Sequence, residues 1–198
     1  MRELILNAAL DLFVREGFEG TTMRRIADEI EYTPGALYSY FKDKDEICYA
    51  LHTKGFDKLN EMMAQAIAKL PKRVAPLERL RVVGRTYIQF AVDNASLYDL
   101  MFISKRTGHM IAENKAWEPG MRAFGTLRET VQMVITKHQL DWNADVVAYT
   151  CWSAVHGMVS LILCDRCAPM GDAPSAILLE ASYAQFIDMM KASIAARR

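Results

Sequence analysis

The residues whose types and spacing best suit chemistry lie between Thr22 and Lys44. Two short helical segments meet there at a tight turn, and the second opens with Thr33-Pro34, a side-chain cap followed by a proline at the first helical position. At about 100° per residue, Leu37 and Phe41 share one face of that segment with Pro34 alongside, while Gly35, Ala36, Tyr38 and Ser39 face the other way. The outward face is small, uncharged and hydroxyl-bearing. It suits close insertion into a major groove, where Ser and Tyr hydroxyls meet phosphates or base edges, with Lys42 and Lys44 flanking as phosphate contacts. The same residues also fit the solvated surface of a small helical subdomain. Local charge favours that alternative, because residues 1–50 hold six Lys or Arg against ten Asp or Glu, which leaves long-range steering of a polyanion weak.

A second constellation sits near the other end. Trp152 and His156 are four apart and share a helix face, and Gly157 inside the same helix costs roughly 1 kcal/mol against Ala, so it suggests a close helix approach. His156 either satisfies a hydrogen bond in the core or meets a ligand. Cys164-Asp-Arg-Cys167 has CxxC spacing, yet zinc needs four ligands and no second pair or suitably spaced His accompanies it, so a redox disulfide or chance explains it better and no metal site is assigned. There is no GxSxG, P-loop, GxGxxG or HExxH, and no spaced acid and base pair, so no catalytic residue and no cofactor is assigned. The competing class is an all-α enzyme or small-molecule binding protein without DNA function. Titration with duplex at low salt separates the two, since only a DNA binder shows salt-dependent affinity.

Positioning these residues requires a helical scaffold. The chain has 198 residues, 52% apolar and 24% charged, with 10 Gly, 6 Pro and no net charge, which excludes collagen-like and disordered classes. Periodicity is helical nearly throughout and strand alternation is absent, so the fold expected is all-α. Ile5, Ala8, Ala9, Leu12 and Phe13 form one face of a first helix, ended by Gly17 in a left-handed cap with Phe18 touching Phe13. A second helix starts at Thr21 or Thr22, the third runs to about Phe41, and a long fourth runs from Asp43 or Lys44 to Leu70, enough to join two domains. Further helices are expected at about 76–93, 96–104, 117–138, 144–166 and 174–195. The expected division is a helix-turn-helix domain over 1–46 and a larger helical domain over 47–198.

From Val146 to Cys164 no Asp, Glu, Lys or Arg occurs, a run long enough to span a bilayer. Thr150, Ser153, His156, Gly157 and Ser160 within it, and flanks without a positive bias, favour instead a helix covered on its outer side by a second subunit, with no membrane partner. The start lacks the pattern of a secretory signal, and four cysteines fit a reducing compartment, so a cytoplasmic location is expected.

The run Ile5 to Ala9, Leu12-Phe13, Gly17-Phe18, Thr21-Thr22, Ile26-Ala27, Gly35-Ala36-Leu37-Tyr38, Phe41 and Lys44 resembles the amino-terminal domain of the TetR family of bacterial transcription regulators over about 45 residues. The resemblance implies a homodimer, joined through the last two helices, that binds double-stranded palindromic DNA, usually represses, and releases it when a small molecule enters the carboxy-terminal domain. By position, it implies that Thr22 donates to phosphate, that Thr33 and Gly35 lie at the entering end of the third helix, and that Tyr38, Tyr40 and Lys44 contact the phosphate backbone. Two departures stand out. Glu31 occupies a turn position where Gly is frequent, so it either accepts a left-handed conformation at about 1 kcal/mol or the turn differs. Pro34 replaces a residue often polar or basic, leaving base readout to Tyr32, Thr33, Ser39 and DNA shape.

Trp152-Ser-Ala-Val-His156-Gly157, with Tyr98-Asp-Leu-Met101-Phe102 upstream, is similar to a subgroup of that family with a Trp and then His-Gly in the penultimate helix. A ligand chamber is accordingly expected between about Leu59 and Met158, with Phe90, Phe102, Trp117, Met121, Phe124, Trp152 and His156 as candidate contacts. The region carries no excess of charge, which favours a small hydrophobic effector over a polyanion.

Overall fold

A computed structural model describes residues 1–103, 118–171 and 175–197, and among them there is no strand. The chain begins with α1 (Arg2–Gly20), α2 (Met23–Glu29), α3 (Pro34–Tyr38) and α4 (Lys44–Ala68). It continues with α5 (Pro76–Asp93), α6 (Ala95–Tyr98, prolonged by a π-helical turn over Asp99–Ile103), α7 (Glu118–His138), α8 (Ala144–Leu163) and α9 (Ser175–Ala195). Two compact units result, Met1–Lys58 with Asn94–Pro119 and Leu59–Asp93 with Gly120–Arg198, so the segment after α5 belongs to the unit that holds the amino terminus.

In the first unit α2 packs on both α1 and α3. Ile5, Leu6, Ala9, Leu12, Ile26, Ala27 and Leu37 are fully buried, the face that the apolar spacing selects. Gly17 does take a positive φ of 75°, and Phe18 reaches Phe13 at a centroid distance of 5.1 Å. The helix nevertheless resumes to Gly20, so the glycine makes a kink and the end expected at Gly17 falls three residues later. The third helix stops at Tyr38, short of Phe41, with Tyr40 and Phe41 N–H both closing on the Leu37 carbonyl. Gly55 in α4 is a true close approach: a Cβ there would lie 2.2 Å from Met101 Sδ and 3.1 Å from Leu97 Cγ.

In the second unit α8 packs on α5 and on α9. Its core joins Leu80, Val131, Val134, Ile135, Leu140, Ala144, Ala148, Cys151 and Ile194, with Phe124, Phe186 and Met190 partly buried against them. Asn143 caps α8, its side-chain oxygen accepting from the N–H groups of Asp145 and Val146. Among the described residues α8 is the one helix long and apolar enough to cross a membrane, yet only 22% of its apolar window is buried within the chain. Nothing lies within 4 Å of a Cβ built on Gly157, so the close approach expected there is absent among the described residues of this chain.

Candidate nucleic-acid interface

Two threonine caps position the second and third helices. Thr22 Oγ1 accepts from Arg25 N–H at 3.1 Å, and Thr33 Oγ1 accepts from Ala36 N–H at 3.3 Å. Each hydroxyl oxygen is thus fixed by its own helix while its hydrogen remains able to donate to a phosphate. The turn between the helices is closed by Glu31 at φ 58°, a left-handed conformation held by a residue with a Cβ.

Leu37 and Phe41 are buried and pin α3 from beneath. Gly35 and Ser39 are exposed, and Tyr32, Tyr38 and Tyr40 stand 44%, 56% and 46% exposed, a cluster of accessible hydroxyls around a short helix. Pro34 opens α3 and is half-buried. A Cβ on Gly35 would meet only Thr33 Oγ1, at 4.0 Å, so the face is open at its entering end. Of the expected DNA-facing residues, Lys44 stands apart. Its Nζ donates to the carbonyls of Phe18 at 2.8 Å and Thr21 at 3.2 Å and lies 4.3 Å from the Phe18 ring centroid.

Several carboxylates of the first unit pair with cations within it. Arg25 pairs with Glu16 and Glu29, Arg15 pairs with Glu29, and Lys54 pairs with Glu3. Hydrogen bonding by Glu16, and then by Glu29, raises the Arg25 guanidinium further above its ordinary range. Arg24 is exposed beside this network; its neighbour in sequence is committed to carboxylates, and only the fold distinguishes the two.

In the second unit Trp152 and His156 lie 6.1 Å apart by ring centroid, and Phe124 meets Trp152 edge to face at 6.3 Å. Trp152 Nε1–H donates to Tyr87 Oη at 3.3 Å, and that oxygen lies 3.2 Å from His156 Nδ1. Ser160 Oγ lies 3.4 Å from His156 Nε2 and donates to the His156 carbonyl at 2.7 Å. Burial lowers the pKa of His156, so it enters this network neutral. No spacing rule links Tyr87 to His156, 69 residues away, and the fold alone pairs them. Phe90 is fully buried in the core and Met121 is 57% exposed. Phe102 belongs to the first unit, against Phe56 at 5.3 Å and Tyr98 at 5.0 Å, and Trp117 lies outside the described residues.

Residues 5–51 match the family model described as bacterial regulatory proteins, tetR family, and residues 80–189 match the tetracyclin repressor-like C-terminal domain. The chain belongs to the TetR family. An HTH-type transcriptional regulator of Staphylococcus aureus is 32% identical over 96 residues, covering 48% of this chain and 50% of that protein. HbdR, an HTH-type transcriptional regulator of an Aromatoleum species, is 34% identical over 79 residues, covering 40% of this chain and 33% of that protein. The chain spans half the length or less of these curated relatives. The TetR-family regulator PfmR of Thermus thermophilus superposes with a TM-score of 0.71 at 18% identity, covering 96% of this chain and 94% of that one. A tetR-family regulatory protein from Rhodococcus does so at 0.72 and 18%, covering 95% of each. At these identities the structural likeness establishes the TetR fold.

Proposed function

We propose that this TetR-family chain is a homodimeric transcriptional repressor that binds a palindromic operator through α3 and releases it when a small hydrophobic effector binds the carboxy-terminal domain. The observation that carries the reading is the two-sided character of α3: Leu37 is buried beneath it while Gly35, Tyr38 and Ser39 are exposed. Thr22, Thr33, Tyr38 and Tyr40 offer hydroxyl hydrogens to phosphates, and Tyr32, Thr33, Ser39 and the shape of the groove at Pro34 set base preference. Residues 1–46 form the DNA-binding part and 47–198 the ligand-binding and dimerisation part of this reading, which places the protein with its DNA in the cytoplasm.

The effector site lies around Trp152, His156 and Phe124, where half-buried aromatic surface surrounds one neutral polar network. Such a surface favours an uncharged, apolar ligand. Release requires the ligand to prefer the non-binding arrangement, since equal affinity for both states shifts nothing.

Selection of the full chain against a random duplex library is the test. The expected result is a symmetric motif whose half-site centres lie about 10 base pairs, or a multiple, apart. A library that returns no symmetric motif overturns the reading, and binding without any salt dependence would favour a carrier or enzyme instead.

A further inference from the structure

We infer that Lys44 is a positioning residue that ties the first turn of α4 to the corner between α1 and α2, and that phosphate neutralisation falls to Arg24 and Lys42. The inference rests on the DNA-binding reading above and concerns which cations serve it.

An ammonium has three N–H directions. In Lys44 two of them reach the carbonyls of Phe18 and Thr21, the head stands over the Phe18 ring, and the Glu19 carboxylate lies 3.8 Å away. The side chain is only 25% exposed. A cation held in this way has little left to offer a phosphate. The corner it holds is in need of such a partner. Gly17 at φ 75° interrupts the regular ladder of α1, and the carbonyls at a helix end carry partial negative charge. Thr21 is fully buried there, its Oγ1 donating to the Gly17 carbonyl at 2.8 Å and its N–H to the Phe18 carbonyl at 3.3 Å. Lys44 closes that corner from outside the α1–α2 pair, so a shift of the first turn of α4 is felt where α2 begins.

The start of α4 is also a poor phosphate seat. Asp43 Oδ1 accepts from Glu46 N–H at 2.9 Å, and Glu46 Oε2 accepts from Lys42 N–H at 2.6 Å. An approaching phosphate would meet carboxylates at this helix end.

The other cations of residues 1–46 divide cleanly. Arg15 and Arg25 are paired with Glu16 and Glu29, and Arg2 lies over the Phe41 ring at 4.9 Å. Arg24, in the first turn of α2 beside the Thr22 cap, and Lys42, just past Phe41, are exposed and have side-chain heads that meet no carboxylate or ring among the described residues. They bracket the hydroxyl-bearing face along the chain.

The experiment measures fluorescence anisotropy of the selected operator and of a scrambled duplex across a salt series, with the full-length wild type and Lys44→Met, Lys44→Arg, Arg24→Met and Lys42→Met. Lys44→Met is expected to lose at least tenfold on the operator and less than twofold on the scrambled duplex, with an unchanged salt slope; Lys44→Arg, which restores a cation able to reach the carbonyls, recovers the operator affinity. Arg24→Met and Lys42→Met are expected to weaken both duplexes alike, each lowering the slope by about 0.9. A Lys44→Met protein whose slope falls by about 0.9 with both duplexes weakened equally overturns the positioning role, and so does one that binds both duplexes as the wild type does. Unchanged slopes in Arg24→Met and Lys42→Met overturn the assignment of the phosphates. Should Lys44→Met not fold, Lys44→Gln, which keeps a donor and removes the charge, is read by the same criteria. A wild type that takes up no duplex at low salt defeats the DNA-binding reading itself, before any variant is compared.

Discussion

Gly35 is a residue whose type the packing of the described residues does not explain. It has no positive φ, and a methyl group there would sit in ordinary contact with Thr33 Oγ1 at 4.0 Å. Glycine near the start of a helix is less favourable than alanine by up to about 1 kcal/mol, so a close-approaching DNA backbone is the natural reason for it. Gly35→Ala is expected to leave stability unchanged or slightly raised in urea melts and to weaken operator binding at least tenfold. Undiminished binding by this variant would remove the reason given for the glycine. His52 presents the opposite case: fully buried in α4, with neither ring nitrogen hydrogen-bonded among the described residues and the Phe56 ring 4.9 Å away. Burial pushes its pKa down to about 4. The folded protein therefore holds His52 neutral while the unfolded chain takes up a proton below about pH 6.5. Its contribution is complete above that pH and is lost as pH falls toward 4, by about 3 kcal/mol at most. Urea denaturation at pH 7 and pH 4.5 should show His52→Leu losing roughly 2 kcal/mol less than the wild type between the two. Parallel losses would show that another group governs the acid limb.

Helix pairs carry the next level of organisation, and in the second unit α5 meets α9 where a glycine faces a tyrosine. A Cβ on Gly84 would lie 2.2 Å from Tyr183 Oη, and that hydroxyl donates to the Arg81 carbonyl at 2.9 Å. Burial raises the Tyr183 pKa well above its ordinary value, so the hydroxyl keeps its proton and remains a donor. Gly84→Ala forces the ring aside and is expected to cost about 1–3 kcal/mol. Tyr183→Phe removes the obstructing oxygen, so the glycine substitution should cost less in that background. Additive costs in the double-mutant cycle would show that the two positions do not share the contact.

Assembly governs what the whole chain does with its apolar surface. Val146, Tyr149, Ser153, Gly157 and Leu161 recur at helical spacing along α8, and Val146, Tyr149 and Leu161 are 62%, 61% and 52% exposed. Ile177 and Met189 on α9 are 65% and 62% exposed. In the proposed homodimer these are the exposed apolar side chains that a two-fold partner would cover. Phe186 and Met190 are partly buried against the core of their own unit. Ala181→Arg places a charge in the seam and is expected to give monomer or insoluble protein. A Cβ on Gly157 meets nothing within 4 Å among the described residues, so Gly157→Leu is expected to remain folded while weakening the proposed dimer. Sedimentation of the wild type as a monomer at micromolar concentration would count against the interface.

Local rules made the helices legible, because a cap, a proline or an apolar period acts within a few residues. Thr33-Pro34 opened α3, the left-handed conformation of Gly17 and the Phe13–Phe18 contact were readable though the helix end was not, and the expected span 76–93 coincides with α5. The two-sided face of α3 followed from the same short-range logic, while the family resemblance left two alternatives at Glu31, of which the left-handed conformation is the one found. The assignments that needed the tertiary structure concern partners distant in the chain. Lys44 meets carbonyls 26 and 23 residues away, His156 meets Tyr87 across 69, and Gly84 adjoins Tyr183 on the last helix. The sequence by composition and periodicity determined which residues are helical and which faces must be buried, since those depend on the residue types of near neighbours. Which of two adjacent arginines is engaged, which lysine head is already occupied and which glycine admits a neighbour were decided only when the helices packed, because a charge or a methyl group responds to whatever the fold brings within a few ångströms.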